Sequence, residues 1–206
     1  MIRLLLAEDQ AMIREALATL LGLEPDLEVV AEAGRGDEVL PALTAAREAG
    51  SPVDVALLDI EMPGMDGICA AAGAHAAYPD LRIVILTTFG RPGFLRRAME
   101  AGASAFLVKD APAAELAGAV RRVMAGERVI DPDLAAAALA DGINPLTSRE
   151  RDVLSASEGG STNAEIASRL FLSEGTVRNY LSACIQKTGT RNRTEALTLA
   201  RAKGWL

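Results

Sequence analysis

Short apolar runs alternate with longer stretches of helical spacing through the first 125 residues, and this alternation constrains the fold more than any other feature. Strands that alternate with helices build a parallel sheet covered on both faces, and near-continuous apolar runs are typical of such buried strands. This part of the chain is therefore predicted as α/β, with a doubly wound, five-stranded parallel sheet. The predicted strands are 2–7, 28–31, 53–58, 82–86 and 104–108, and the predicted helices are 10–22, 36–49, 67–77, 91–101 and 112–125.

Composition and chain pattern exclude several other classes of protein. Aromatic residues make up only 3% of the chain, which argues against a β-sandwich. No apolar run approaches the roughly 20 residues that span a bilayer, and acidic residues interrupt the apolar start of the chain before it resembles a signal peptide. The two cysteines, Cys69 and Cys184, are too far apart to suggest a metal pair or a disulfide framework. We therefore expect a soluble, cytoplasmic protein with no membrane insertion.

Polar residues stand at the carboxyl ends of the predicted strands, where ligands bind in sheets of this kind. Glu8 and Asp9 follow the first strand, and Asp59 follows the third. Three carboxylates at one edge repel one another unless a cation joins them, and oxygen ligands of this kind suit Mg²⁺. Thr87 and Lys109, after the fourth and fifth strands, add a hydroxyl and an ammonium. Together these groups predict a site that forms an aspartyl phosphate on Asp59.

Four motifs at these strand ends resemble the receiver domain of two-component response regulators. They are LLLAED at 4–9, LLDIEMPGMDG at 57–67, ILTT at 85–88 and AGASAFLVK at 101–109. The resemblance covers about residues 1–125 and implies the strand order 2-1-3-4-5. It also implies a sensor histidine kinase as partner, because the phosphodonor histidine has to come from another protein.

The resemblance implies roles for individual residues. Asp59 matches the phosphoacceptor, and Glu8 and Asp9 match the acidic pair that holds Mg²⁺ with it. By the same analogy, the backbone carbonyl of Glu61 completes the metal site. An aromatic residue of the family swings inward on activation, and the phenylalanine at that position lacks the hydroxyl of the commoner tyrosine, so its role must be steric. The phosphate-sensing and switch residues implied in this way are Thr87, Lys109 and Phe106.

The chain after residue 125 is predicted to hold a linker and a second domain. Residues 126–145 contain one alanine-rich helix, at 133–140, and a Gly-Ile-Asn-Pro breaker at 142–145. Residues 146–206 are predicted to form an all-α domain of four helices, because helix-capping residues recur there in quick succession. The caps are Thr147, Thr162, Ser173 and Asn192, and the first three predicted helices are about 148–157, 163–170 and 174–188.

The third helix of this domain carries the candidate binding residues. From residue 169 on, the chain holds seven Lys and Arg against two Asp and Glu, as expected of a module that binds a polyanion. The second and third helices are joined by a short turn, and in helix-turn-helix proteins the later helix enters the major groove by its N-terminal turns. Ser173 and Thr176 suit phosphate contacts there. The polar face of the helix carries Arg178, Asn179 and Ser182, which suit base or phosphate contacts.

Residues 146–206 also resemble the LuxR/NarL-type helix-turn-helix. The motifs are LTSRERDVL at 146–154, TNAEIA at 162–167, LSEGTVR at 172–178 and KTGTRNRTEA at 187–196. The run GTVRNYLS, which starts at Gly175, is similar to the DesR-like branch of this family. The resemblance implies DNA contact by Arg178, Asn179 and Ser182, and phosphate contact by Thr176, Lys187, Arg191 and Arg193.

Both resemblances together imply a transcriptional regulator, not an enzyme, that is activated when Asp59 is phosphorylated. We expect phosphorylation to favour a homodimer whose paired domains bind two half-sites in promoter DNA, with RNA polymerase as a candidate partner. One alternative is a Mg²⁺-dependent phosphatase with an aspartyl nucleophile. Another keeps the DNA-binding function but makes the receiver a docking module that is switched without phosphate.

Overall fold

The structure is a computed structural model that describes residues 1–88, 92–109, 112–140 and 144–206. The chain divides into two compact units, and the main division falls between Ala136 and Ala137. Each unit has its own hydrophobic core. Among the helices in the described ranges, none is both long enough and apolar enough to cross a lipid bilayer.

The first unit contains a parallel sheet. Its strands are β1 (Ile2–Ala7), β2 (Leu27–Ala33), β3 (Val55–Asp59), β4 (Arg82–Thr87), β5 (Ala105–Val108) and β6 (Val129–Ile130). They lie in the order β2-β1-β3-β4-β5-β6, so the predicted α/β class and the order of the first five strands are confirmed. The prediction of five strands is wrong by one, because β6 pairs with β5 at the edge. Two residues are too few to produce the periodicity by which a strand is predicted.

Helices pack against this sheet. They are α1 (Ala11–Gly22), α2 (Val39–Glu48), α3 (Gly67–Ala77), α4 (Pro92–Glu100) and α5 (Ala113–Met124). α1 packs with α5 and α2 packs with α3, as expected when helices cover both faces of a sheet. Every residue of β3 is buried, which explains its continuous apolar run. Because all strands are parallel, their carboxyl ends meet at one edge of the sheet, and the polar residues that follow them converge there.

The second unit is all-α. The helix α6 (Pro132–Ala140) spans the division between the units, and α7 (Ser148–Ala156), α8 (Asn163–Leu170), α9 (Glu174–Thr188) and α10 (Arg193–Ala202) follow it. All four predicted caps are formed: Thr147 and Thr162 make capping boxes with Glu150 and Glu165, and Ser173 and Asn192 accept cap hydrogen bonds. The core includes Val153, Ile166, Val177 and Cys184. The predicted breaker at 142–145 lies partly outside the described residues, which omit 141–143.

Candidate functional site

Three carboxylates meet at the carboxyl edge of the sheet. Glu8 and Asp9 follow β1, Asp59 ends β3, and one carboxylate oxygen from each lies within 4.8 Å of the others. They meet because β1 and β3 are neighbours in register, with Ala7 opposite Leu58. Glu8 is 1% exposed and Asp59 is 4% exposed, whereas Asp9 is open to solvent. Two of the three negative charges are therefore held away from water, close to each other.

A glycine allows helix α3 to begin directly beside this cluster. Gly67 donates its amide to the carbonyl of Ile60 at 3.0 Å. A Cβ at Gly67 would lie 1.8 Å from the backbone oxygen of Asp59, so a larger residue would push the loop away from the end of β3. The side chain of Asp66 caps the helix by accepting from the amide of Cys69. It also pairs with Arg97 of α4 at 3.0 Å, a contact that ties the loop after Asp59 to α4.

Lys109 supplies the ammonium of the cluster. It follows β5, and its Nζ lies 2.5 Å from Glu8 Oε2 and 3.0 Å from Asp59 Oδ2. Burial alone would lower the pKa of Lys109, but its hydrogen bonds to Glu8 and Asp59 outweigh that effect and raise the pKa above its usual value. Burial raises the pKa of Glu8, and Lys109 only partly opposes this shift. Among the residues that the structure describes, Lys109 thus pairs with two of the three clustered carboxylates, and negative charge remains in excess.

Two more predicted residues lie on the strands next to this cluster. Thr87 ends β4 and is 3% exposed, and its backbone carbonyl accepts the amide of Lys109 at 2.8 Å. Phe106 lies on β5 opposite Ile85 and is fully buried. Glu61 is exposed on the loop two residues after Asp59. The structure therefore brings Glu8, Asp9, Asp59 and Lys109 together, places Thr87 at the same edge, and leaves the Glu61 side chain outside the cluster.

Sequence reasoning missed Arg14, on α1. Its Nη1 donates to the backbone carbonyl of Glu8 at 2.5 Å, and its Nε lies 3.3 Å from Glu32 Oε2. Arg14 therefore fixes the backbone of the acidic pair and links it to β2. The only available signal in the sequence was a cation in the helix that directly follows two acidic residues.

The second unit presents a helix-turn-helix. α8 ends at Leu170, the turn contains Phe171 and Leu172, and Ser173 caps α9 by accepting from the Thr176 amide at 3.1 Å. Val177, Leu181 and Cys184 of α9 are buried in the core. Another face of the same helix carries the predicted base-contacting residues, which are all exposed: Arg178, Asn179 and Ser182.

Three basic residues predicted to contact phosphate have partners inside the protein. The Arg193 side chain donates to the backbone oxygen of Ser161 at 2.9 Å, and Arg191 lies 2.6 Å from Glu195. Lys187 lies 2.7 Å from Glu150 Oε2 and is 37% exposed. Arg178, by contrast, forms no ion pair with any residue in the described part of the chain. Arg191 and Lys187 are therefore engaged in ion pairs within the protein, whereas Arg178 has no such pair within the described ranges.

Glu150 is a buried acid of the second unit. Its Oε2 accepts from the Thr147 amide at 2.6 Å and from Lys187 Nζ at 2.7 Å. Burial alone would raise the pKa of Glu150, but Lys187 and Thr147 outweigh it and hold the pKa below its usual value. The Cys184 thiol donates to the Glu150 backbone oxygen at 3.5 Å, and burial raises the pKa of this thiol to about 11. These contacts join α7 to the C-terminal half of α9.

Comparison with known proteins identifies the family. Residues 4–121 match the response regulator receiver domain, and residues 144–200 match the bacterial regulatory proteins of the luxR family. The chain is 43% identical to the uncharacterized transcriptional regulatory protein YvfU of Bacillus subtilis (strain 168), over 100% of both chains. It is 42% identical to the transcriptional regulatory protein DesR of the same organism, over 100% of this chain and 99% of that protein. The solved structure of response regulator ChrA, from a heme-sensing two-component system, is 34% identical, with 100% of this chain and 98% of that chain covered and a TM-score of 0.57.

This chain belongs to the two-component response regulators that carry a LuxR-type DNA-binding domain. Its relatives are transcriptional regulators, which confirms the predicted class of function. The family consists of regulators, not enzymes, so the phosphatase interpretation is set aside.

Proposed function

We propose that Asp59 is the phosphoacceptor of this regulator and that its phosphorylation controls DNA binding by α9. The observation that carries the proposal is the position of Asp59, buried at the end of β3, 3.0 Å from Lys109 and clustered with Glu8 and Asp9. A carboxylate oxygen of Asp59 attacks phosphorus on a phosphohistidine of a sensor kinase. The P–O bond forms as the P–N bond breaks, and the electron pair of that bond returns to the histidine nitrogen.

The acidic cluster suits Mg²⁺, because all its donor atoms are oxygen and the positive charge of Lys109 does not balance the negative charge of the carboxylates. The residues that would hold the ion are Glu8, Asp9 and Asp59, with the backbone carbonyl of Glu61. A bound Mg²⁺ supplies positive charge beside the oxygens of the transferred phosphoryl group. Lys109 holds a second positive charge close to Asp59 and would pair with the phosphate after transfer.

Thr87 and Phe106 are proposed to convert the new phosphate into a change of packing. The phosphate adds about −1.5 to −2 charges and three acceptor oxygens beside Thr87, whose hydroxyl would donate to it. Movement of Thr87 would leave space for the Phe106 ring, which is apolar and acts only by its volume. The result is a shift in population between two packed states. The domain boundaries that we propose are 1–125 for the receiver, 126–145 for the linker and 146–206 for the DNA-binding domain, with β6 of the linker added to the edge of the receiver sheet. The matched segments 4–121 and 144–200 support these boundaries.

Phosphorylation with acetyl phosphate and Mg²⁺, followed by intact-mass measurement, tests the first step. We expect the wild-type chain to gain one phosphoryl group and Asp59→Asn to gain none. Asp80→Asn removes an exposed aspartate of the same unit and is expected to behave like the wild type. Labelling that persists in Asp59→Asn would refute the assignment, and a chain that never retains phosphate would favour the docking-module alternative.

We propose that the N-terminal half of α9 reads promoter DNA. Arg178 suits a bidentate pair with guanine and Asn179 a pair with adenine, and both are exposed. Ser182 lies one turn further along the exposed face. Phosphate contacts are assigned to Ser173 and Thr176 at the helix N-terminus and to the basic residues Lys187, Arg191 and Arg193.

A single reading helix gives modest affinity, which supports a dimer on phosphorylation that places two such helices on half-sites about one helical turn, or a multiple of it, apart. A cytoplasmic location follows from these partners, because the regulator has to meet both the kinase and the promoter. RNA polymerase is a further candidate partner of the DNA-bound dimer.

Binding of duplex DNA tests this assignment, with sites selected by the phosphorylated full-length chain from a random-sequence library. We expect Arg178→Ala to weaken binding on the order of tenfold or more, because a bidentate base contact is lost. Arg149→Ala removes an exposed arginine of the same unit, on α7, and should bind as the wild type does. Equal binding by Arg178→Ala and the wild type would refute base contact by Arg178.

A further inference from the structure

The turn between α8 and α9 contains a phenylalanine in an unfavourable backbone conformation. Phe171 has φ 56° and ψ 45°, and it is the one residue other than glycine with a positive φ in the described part of the chain. A bulky side chain in the left-handed region is a genuine outlier, and helices that end in this way usually place glycine there. Phe171 is also 96% exposed.

No part of the second unit that the structure describes requires the phenyl ring for its fold. The amides of Phe171 and Leu172 both donate to the carbonyl of Ala167, and a glycine at 171 would donate in the same way. Leu172, not Phe171, packs against the core of this unit. The ring therefore gives no cap and buries almost no surface, while the Phe171 backbone is held in a conformation in which glycine is more stable. An exposed aromatic at a strained turn suggests a function outside folding.

The place of Phe171 in the chain indicates where that function lies. Phe171 stands two residues before Ser173, the cap of α9, whose hydroxyl lies 2.8 Å from that of Thr176. These hydroxyls and the exposed Arg178 and Asn179 are the groups that we assign to the DNA. An apolar group that lies close to them in the chain can meet two apolar surfaces of a duplex, the thymine methyl group and the carbons of deoxyribose.

We infer that Phe171 is a DNA-contacting residue that packs its ring against a thymine methyl group or a deoxyribose of the half-site. The inference rests on the proposed DNA-binding function of α9. It adds an apolar contact next to the polar contacts of that helix. Because the ring carries no charge, its contribution to affinity does not depend on counterion release.

Phe171→Gly separates this role from folding. We expect the thermal unfolding midpoint of the second unit, followed by fluorescence of its single tryptophan, Trp205, to stay equal or rise, because glycine relieves the strained backbone. DNA affinity should fall on the order of tenfold. The slope of log affinity against log salt should be unchanged, whereas loss of a phosphate contact would reduce it. Phe171→Tyr keeps the ring and should bind as the wild type does.

The probe is the duplex that the phosphorylated full-length wild type selects from a random-sequence library, made both with thymine and with uracil in its place. Weaker wild-type binding to the uracil duplex, with no such change in Phe171→Gly, assigns the contact to the thymine methyl group. Equal binding to both duplexes by the wild type, with Phe171→Gly still weaker, assigns it to deoxyribose.

Unchanged DNA affinity of Phe171→Gly would overturn the inference, and so would a lowered unfolding midpoint of that variant. A change in the oligomeric state of Phe171→Gly, measured as its mass in solution, without any change in DNA affinity would overturn it as well. If the wild type selects no duplex at all, the proposed DNA-binding function fails, which is a different result.

Discussion

Each of the two units buries a glutamate against a lysine, and the two pairs are opposites in their surroundings. In the first unit, Glu8 is 2.5 Å from Lys109, and in the second, Glu150 is 2.7 Å from Lys187. Lys109 is shared with Asp59, and Asp9 lies close by, so carboxylates outnumber ammonium groups. Around Glu150 a backbone amide and Lys187 balance a single carboxylate.

The pKa values of the two glutamates move in opposite directions for this reason. Burial raises the pKa of Glu8 and Asp59 adds to that shift, whereas Lys187 and Thr147 lower the pKa of Glu150 in spite of its burial. Burial of an acid is thus not by itself the mark of a site. An excess of negative charge indicates that a cationic ligand is needed. A pair whose charges balance indicates a contact that holds two helices together.

Replacement of the lysine in each pair is the strongest test of this difference in charge balance. Lys109→Met leaves Glu8 and Asp59 buried without a cation, and we expect it to lower the free energy of unfolding of the first unit by about 3 kcal/mol without metal. Lys187→Met should cost the second unit about 1–2 kcal/mol, because the Thr147 amide still binds Glu150. Urea unfolding followed by circular dichroism, with Trp205 fluorescence as the probe of the second unit, measures both. Equal losses would contradict the comparison.

The pH dependence of stability tests the role of Glu150 in the second unit. Its pKa is lower folded than unfolded, so its stabilising contribution is present above the unfolded pKa of about 4.5 and is lost as pH falls through the folded pKa. We expect Glu150→Gln to lower the stability of the second unit by about 1.5 kcal/mol at neutral pH. Below pH 4.5 the difference from the wild type should shrink. Unfolding midpoints from Trp205 fluorescence at both pH values test this, and a difference that stays constant with pH would assign the loss to packing alone.

Magnesium gives the smallest expected effect and tests the excess charge directly. For the wild type, Mg²⁺ at about ten times its dissociation constant should raise the stability of the first unit by about 1.4 kcal/mol, and EDTA should remove the gain. In Asp9→Asn the gain should vanish, while the metal-free protein becomes slightly more stable because one repelling charge is gone. Asp80→Asn serves as the matched control and should respond to Mg²⁺ as the wild type does. Thermal unfolding with and without the ion decides it.

Much of the fold follows from local pattern, and the exceptions are informative. The apolar runs predicted β1, β3, β4 and β5 to within about two residues at each end, because buried parallel strands are apolar throughout. β2 extends beyond its predicted range of 28–31, because this edge strand includes the exposed Glu32, which interrupts the apolar run before the strand ends. β6 was missed because it consists of two residues whose only strand partner in the described sheet is β5.

The candidate sites divide in the same way. The convergence of Glu8, Asp9, Asp59 and Lys109 follows from their places at the ends of parallel strands, a rule that sequence order alone can apply. The pairing of Lys187 with Glu150 does not, because 37 residues separate them and only the packing of α7 on α9 brings them together. The left-handed backbone of Phe171 was likewise hidden, since glycine is the residue that marks such a turn.

Burial of Cys184 makes this thiol a natural reporter of opening of the second unit. The thiol is fully buried and its pKa is raised to about 11, so an alkylating reagent attacks it only when the second unit opens. Cys69, exposed on the first unit, reacts without any opening and reports the activity of the reagent in the same sample. The delay between alkylation of Cys69 and alkylation of Cys184 therefore measures how often the second unit opens transiently, without any engineered label.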